Sequence, residues 1–119
     1  MSRVVPYTQG VRHEQHDKIA LEVSRRIAAE LPKRPDWIEA AKDNLNRWKE
    51  RNRNAPRLLR GYDEWLAMLA RPVPEICAVL TAETDEGQRL RQNSPFVGVL
   101  PREEERAIEA AVRNDQRAA

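Results

Sequence analysis

The chain has 119 residues, which suits one domain with one core, since domains typically hold about 100 to 150 residues. Charged residues make up 34% and apolar residues 40%, against about 25% and about 45–50% in an average globular domain, which excludes a deep core and points to a thin fold with a charge-rich surface. Cys77 is the only cysteine, so an intrachain disulfide is excluded; no basic-then-apolar leader and no run of ~20 apolar residues is visible, so a cytoplasmic protein without a membrane partner is expected.

The net charge of +2 conceals an asymmetry. Met1 to Gly61 holds 14 Lys and Arg against 8 Asp and Glu, whereas Tyr62 to Ala119 holds 7 against 11. Such a dipole steers an acidic partner to the first half and a basic one to the second, and it also suits two copies meeting head to tail as a homo-oligomer.

In chain order, residues 1–12 carry Pro6, Thr8 and Gly10 with no sustained period and read as a flexible N-terminal arm. A helix is expected from about His13 to Leu31, where Ile19, Val23, Ile27 and Leu31 recur every four residues, and Pro32 and Pro35 end it. Trp37, Ile38, Ala41, Leu45 and Trp48 mark one face of the next helix, opened by Pro35 or Asp36. The polar run Arg51 to Pro56 breaks it, because asparagine favours turns and the residue before proline leaves the α region.

A third helix follows from about Arg57 to Ala70 on Leu58, Leu59, Tyr62, Trp65, Leu66 and Leu69. Gly61 inside it costs ~1 kcal/mol relative to alanine, so a close approach is expected there. Pro74 opens a short helix with Ile76, Val79 and Leu80 inward; Thr84 or Asp85 caps another that reaches about Gln92, anchored by Leu90. Asn93 to Leu100 is a compact loop, and a last helix starts at Pro101 with Glu103, Glu104 and Glu105 at the positive end of its dipole. Its inner face is Ala107, Ile108, Ala111 and Val112, and residues 115–119 are expected to fray. The fold class is therefore all-α, a single small bundle of about five or six helices over residues 13–114.

Candidate chemistry is sparse. His13 and His16 stand three residues apart, a spacing a metal can use, but structural zinc wants four ligands and catalytic zinc three, so they read as solvated histidines. Cys77 lies between Ile76 and Ala78 as a small core hydrophobe. Ser94 has no histidine after it and no glycine-rich elbow, and the four scattered glycines form no phosphate loop. No enzyme, no metal and no cofactor is expected.

Two surface clusters remain. Lys42, Arg47, Lys49, Arg51, Arg53, Arg57 and Arg60 outweigh Asp43 and Glu50 to leave a local charge of +5 around Trp48, a composition that can grip a nucleic-acid backbone and stack on a base. The plainer reading of this stretch is a solvated face with Trp48 in the core. The second cluster is Arg89, Arg91, Asn93, Ser94, Pro95, Phe96 and Val97. Phe96, the only phenylalanine, is first of all a plug for the core; the competing reading makes Phe96 and Val97 an exposed anchor rimmed by the two arginines.

The blocks Ala40 to Trp48, Tyr62-Asp63-Glu64-Trp65 and Gln88 to Phe96, continuing through Gly98-Val99-Leu100 to Glu105-Arg106, resemble a family of small helical bacterial proteins. In that family Leu-Arg, two polar residues, Ser or Thr and Pro-Phe precede a small residue, Gly, Val or Ile, and Leu. The resemblance spans about Trp37 to Ile108 and implies an antitoxin-like component that holds a cognate toxin enzyme inactive. An aromatic follows Glu-Arg in the family, whereas Ala107 stands there in this chain. A protein partner bound through Arg89 to Val97 is thus the leading expectation, with nucleic-acid binding through Arg47 to Arg60 as the alternative.

Overall fold

A computed structural model describes residues 4–118, with side chains from 14 to 115. Six α-helices account for most of it: α1 Val4–Glu30, α2 Asp36–Arg51, α3 Pro56–Leu69, α4 Val73–Thr81, α5 Asp85–Arg91 and α6 Arg102–Ala118, with a 3-10 turn at Leu31–Lys33 after α1. No strand occurs among the described residues. No helix among them is long and apolar enough to cross a membrane.

The middle helices start and stop within two residues of where prolines and caps place them. Pro56 and Pro74 stand in the first turns of α3 and α4, where a missing N–H costs nothing, and Thr84 caps α5 by accepting from the Gly87 N–H at 3.0 Å. The outer helices run longer than expected. Helical backbone begins at Val4, not near His13, because Pro6 falls in the first turn and breaks no hydrogen bond there. The side chains of the expected arm, and its first three residues, lie outside the described residues. Likewise α6 continues past Asn114 to Ala118.

At 1.5 Å per residue the 27 residues of α1 span about 40 Å, which sets the long axis of a flattened body measuring 47 × 35 × 25 Å. Against α1 pack α4, α5 and α6, while α2 and α3 pair with one another as a hairpin. One core joins the two halves: Ile27, Leu31, Ile76 and Leu80 from the first meet Trp37, Ala41, Leu45, Tyr62, Trp65 and Leu69 from the second, and Phe96 and Leu100 lie among them. The inward residues of α2 are those its period names. On α3 Leu58 turns out to solvent, and on α6 Ala107 and Ala111 do so while Ile108 and Val112 face α1.

Glycine roles differ from expectation. A Cβ on Gly61 would meet only Asn93 Nδ2 at an ordinary 3.8 Å, so no close approach explains it. A Cβ on Gly87 would lie 2.4 Å from the carbonyl oxygen of Ala82, so α5 can fold back onto the end of α4 only because residue 87 has no side chain.

Candidate binding face and cleft

The segment from Gln92 to Pro101 lies between the two halves of the molecule and is held from the α2–α3 half and by its own turn. Asn44 of α2 donates its amide to the carbonyls of Pro95 at 2.8 Å and Val97 at 3.2 Å. Trp65 of α3 donates its indole N–H to Leu90 at 3.0 Å, and Ser94 Oγ accepts from the Phe96 N–H at 3.3 Å. The turn closes with Val99 N–H on the Phe96 carbonyl at 3.3 Å and with Gly98 at φ +85°, a left-handed conformation that favours glycine.

This frame decides the role of Phe96. Its side chain is 2% exposed and meets Trp65 edge to face, ring centres 6.3 Å apart at 78°. Phe96 is a core plug and offers no surface anchor; Pro95 beside it is fully buried. Phe96 and Pro95, expected among the partner contacts, are therefore both turned into the core of the free chain. Val97, in contrast, projects outward at 65% exposure, Asn93 is exposed and Ser94 half-buried.

The two arginines do not share a rim either, and helix geometry gives the reason: residues two apart on an α-helix point about 200° from each other. Arg89 is exposed and already paired, to Glu64 of α3 at 2.7 Å and to Glu86 within its own helix. The hydrogen bond to Glu86 first, and then that to Glu64, raises its pKa further. Arg91 points inward and is 8% exposed, donating from Nη1 to the carbonyls of Ala82 at 2.5 Å and Leu80 at 3.3 Å, which end α4. Burial pushes its pKa down, against smaller upward influences from Asp17 and Glu83.

Of the basic cluster, Lys49 pairs with Asp63 at 2.6 Å, Arg53 with Glu50 at 3.1 Å and Lys42 with Glu39 at 3.5 Å, while Arg47 bonds to Asn44. Arg51, Arg57 and Arg60 are exposed with no acidic partner among the described residues. Trp48 is half-buried and lies 5.7 Å from Tyr62, whose hydroxyl meets the Asn52 amide at 3.3 Å.

The fold brings the two sequence clusters together. A cleft of about 270 Å³ opens between them, floored by Trp48 and Tyr62 and bordered by Arg51, Asn52, Asn93 and Val97. On the inner side of the same loop a second cleft of about 260 Å³ lies against α1, lined by Ile19, Val23, Ile27, Phe96 and Leu100, with His16, Ser24, Arg91, Ser94 and Glu105 as its polar members. His16 and Ser94 thus border one cleft, yet no hydrogen bond joins them among the described residues, and the Ser94 hydroxyl is engaged with the loop backbone. The His13 side chain lies outside the described residues. No group of three His, Cys, Asp or Glu among the described residues could hold a metal. Cys77 donates to the Ala28 carbonyl at 3.4 Å, and burial pushes its thiol pKa up, away from the reactive thiolate.

Compared with known proteins, the chain matches no family model, no curated protein and no solved structure. Sequence reasoning missed the structural roles of three positions. Arg91 carries no sign of burial except its angular offset from Arg89, and Gly87 is marked only by standing three residues after a capping threonine. Asn44 sits on the polar side of α2 with no distinguishing pattern.

Proposed function

We propose that the chain is a non-catalytic binding protein of the cytoplasm, an antitoxin-like partner that neutralises a cognate toxin enzyme by covering it. The observation that carries this reading is the outer cleft. An apolar side chain 65% exposed, Val97, stands on a turn that Asn44 holds rigid, beside Trp48, Tyr62 and Arg51, which has no acidic partner among the described residues. Tryptophan, tyrosine and arginine dominate the energetics of protein interfaces, and a preorganised turn loses little entropy on binding. The contact mechanism differs from the one suggested by the sequence, since Phe96 and Arg91 are committed inward. Val97 and Asn93 contact the partner, and Arg51 and Arg57 meet its acidic groups. Co-expression with the product of the adjacent open reading frame tests this: a stable complex and rescued growth are expected, and a harmless neighbour that does not co-purify overturns the reading.

A second reading draws on the same face. Arg51, Arg57 and Arg60 lack acidic partners among the described residues, and the half-buried Trp48 borders the same cleft as Arg51, an arrangement also suited to a nucleic-acid backbone with a base stacked on the ring. That reading requires affinity that falls steeply with salt and falls again in Arg51→Glu and Arg57→Glu; a flat mobility-shift result at low salt removes it.

A further inference from the structure

The charge of Arg91 is offset only at a distance, by Asp17 and Glu83. The residue is more than nine-tenths buried, yet it forms no ion pair among the described residues. Its Nη1 satisfies the end of α4, whereas Nε and Nη2 meet no acceptor there. Every fully buried side-chain nitrogen or oxygen among the described residues does have a partner, so these two donors keep some exposure, and the two clefts that Arg91 lines are where they can meet a ligand. A guanidinium out of water is costly unless an anion offsets it, and its planar fork matches a carboxylate with two parallel hydrogen bonds.

Arg91 borders two clefts. One, of about 200 Å³, is charged and already holds Asp17 and Glu83, which would repel a second anion. The other is the inner cleft, whose walls are Ile19, Val23 and Ile27 of α1 on one side and Phe96 and Leu100 on the other. Ser24, 3% exposed, and Ser94 place two hydroxyls among these apolar walls. A cavity of about 150 Å³ accepts benzene, so the inner cleft, at about 260 Å³, suits an apolar body of roughly ten non-hydrogen atoms.

We propose that the inner cleft binds a small apolar monocarboxylate, its chain lying between α1 and the Phe96 turn and its carboxylate on the free donors of Arg91. The ligand carries a single negative charge, because Glu105 is already the one carboxylate lining this cleft. The cleft shares Ser94 and Val97 with the partner face, but its apolar walls and Arg91 lie on the other side of the loop, and its occupancy does not depend on the antitoxin-like reading.

Octanoate, with the required size, is the probe, titrated into the isotopically labelled full chain and followed by amide chemical shifts. Saturable shifts are expected at Ser24, Ser94 and Gly98, with 1-octanol binding about tenfold more weakly or worse. Arg91→Gln should bring octanoate down to the octanol level, and Glu105→Gln should tighten it by removing a like charge. Since Arg91 also ends α4, Val23→Trp provides an independent arm: it fills the cleft while leaving the arginine in place, and should abolish binding of both probes. Octanol binding as tightly as octanoate, octanoate binding unchanged in Val23→Trp, or no saturable shift at millimolar octanoate each overturns the proposal.

Discussion

Phe96, Asn44 and Val97 divide the loop's work between folding and display. Truncating a fully buried aromatic side chain that meets Trp65 removes contacts which the two halves of the core share, so Phe96→Ala should lower unfolding stability by about 3–5 kcal/mol. Asn44→Ala leaves the carbonyls of Pro95 and Val97 without their donor and should cost about 1–2 kcal/mol. Val97→Asp touches nothing the fold needs and should stay within about 0.5 kcal/mol of the parent. Urea unfolding of the three variants measures these differences. The core role of Phe96 was legible, as the lone phenylalanine after Ser-Pro in a breaker-rich segment. The inward turn of Arg91 was not, because nothing in a row of charged residues says which side of a seven-residue helix faces the core until its neighbours are packed.

Among the elements, α2 and α3 follow most directly from their apolar periods and bounding prolines, and the capping of α5 from Thr84. The extents of α1 and α6 were harder to read, since a proline in a first turn and a charge-rich last turn are compatible with both helix and coil. Glycines separate these levels by experiment. Gly61→Ala removes unfolded-state freedom at a helical position where the new methyl meets only an ordinary contact with Asn93, and should stabilise by about 0.4–1 kcal/mol. Gly87→Ala gains the same helix propensity but drives its methyl into the Ala82 backbone; the overpacking should prevail and destabilise by about 1–3 kcal/mol. Thermal or urea midpoints moving in opposite directions would bear out this assignment of α5 against α4, and two gains would refute it.

The whole molecule is a thin bundle whose surface is laced with ion pairs, among them Arg26 to Glu104 at 2.9 Å between α1 and α6 and Arg34 to Asp36 at 2.9 Å before α2. Arginine neighbours hold Glu30, Asp36 and Glu86 below the usual carboxylate range, chiefly through hydrogen bonds from Arg26, Arg34 and Arg89. A carboxylate with a depressed folded pKa stabilises above its ordinary value and loses that contribution as pH falls. Stability should therefore decline as these three groups protonate below about pH 4.5, modestly because Asp36 and Glu86 are exposed and Glu30 only half-buried, and less so in high salt. Urea midpoints at neutral and acid pH, with and without salt, check the sign.

The charge asymmetry between the two halves of the sequence gives the face around Arg51, Trp48 and Val97 its basic character, and the bundle supplies its rigidity. Calorimetric titration of the adjacent gene's product into the parent chain and into Val97→Asp puts this account to its most direct test. Stoichiometric binding that weakens by about tenfold or more in the folded variant is the expected result, whereas a complex indifferent to Val97→Asp would contradict it.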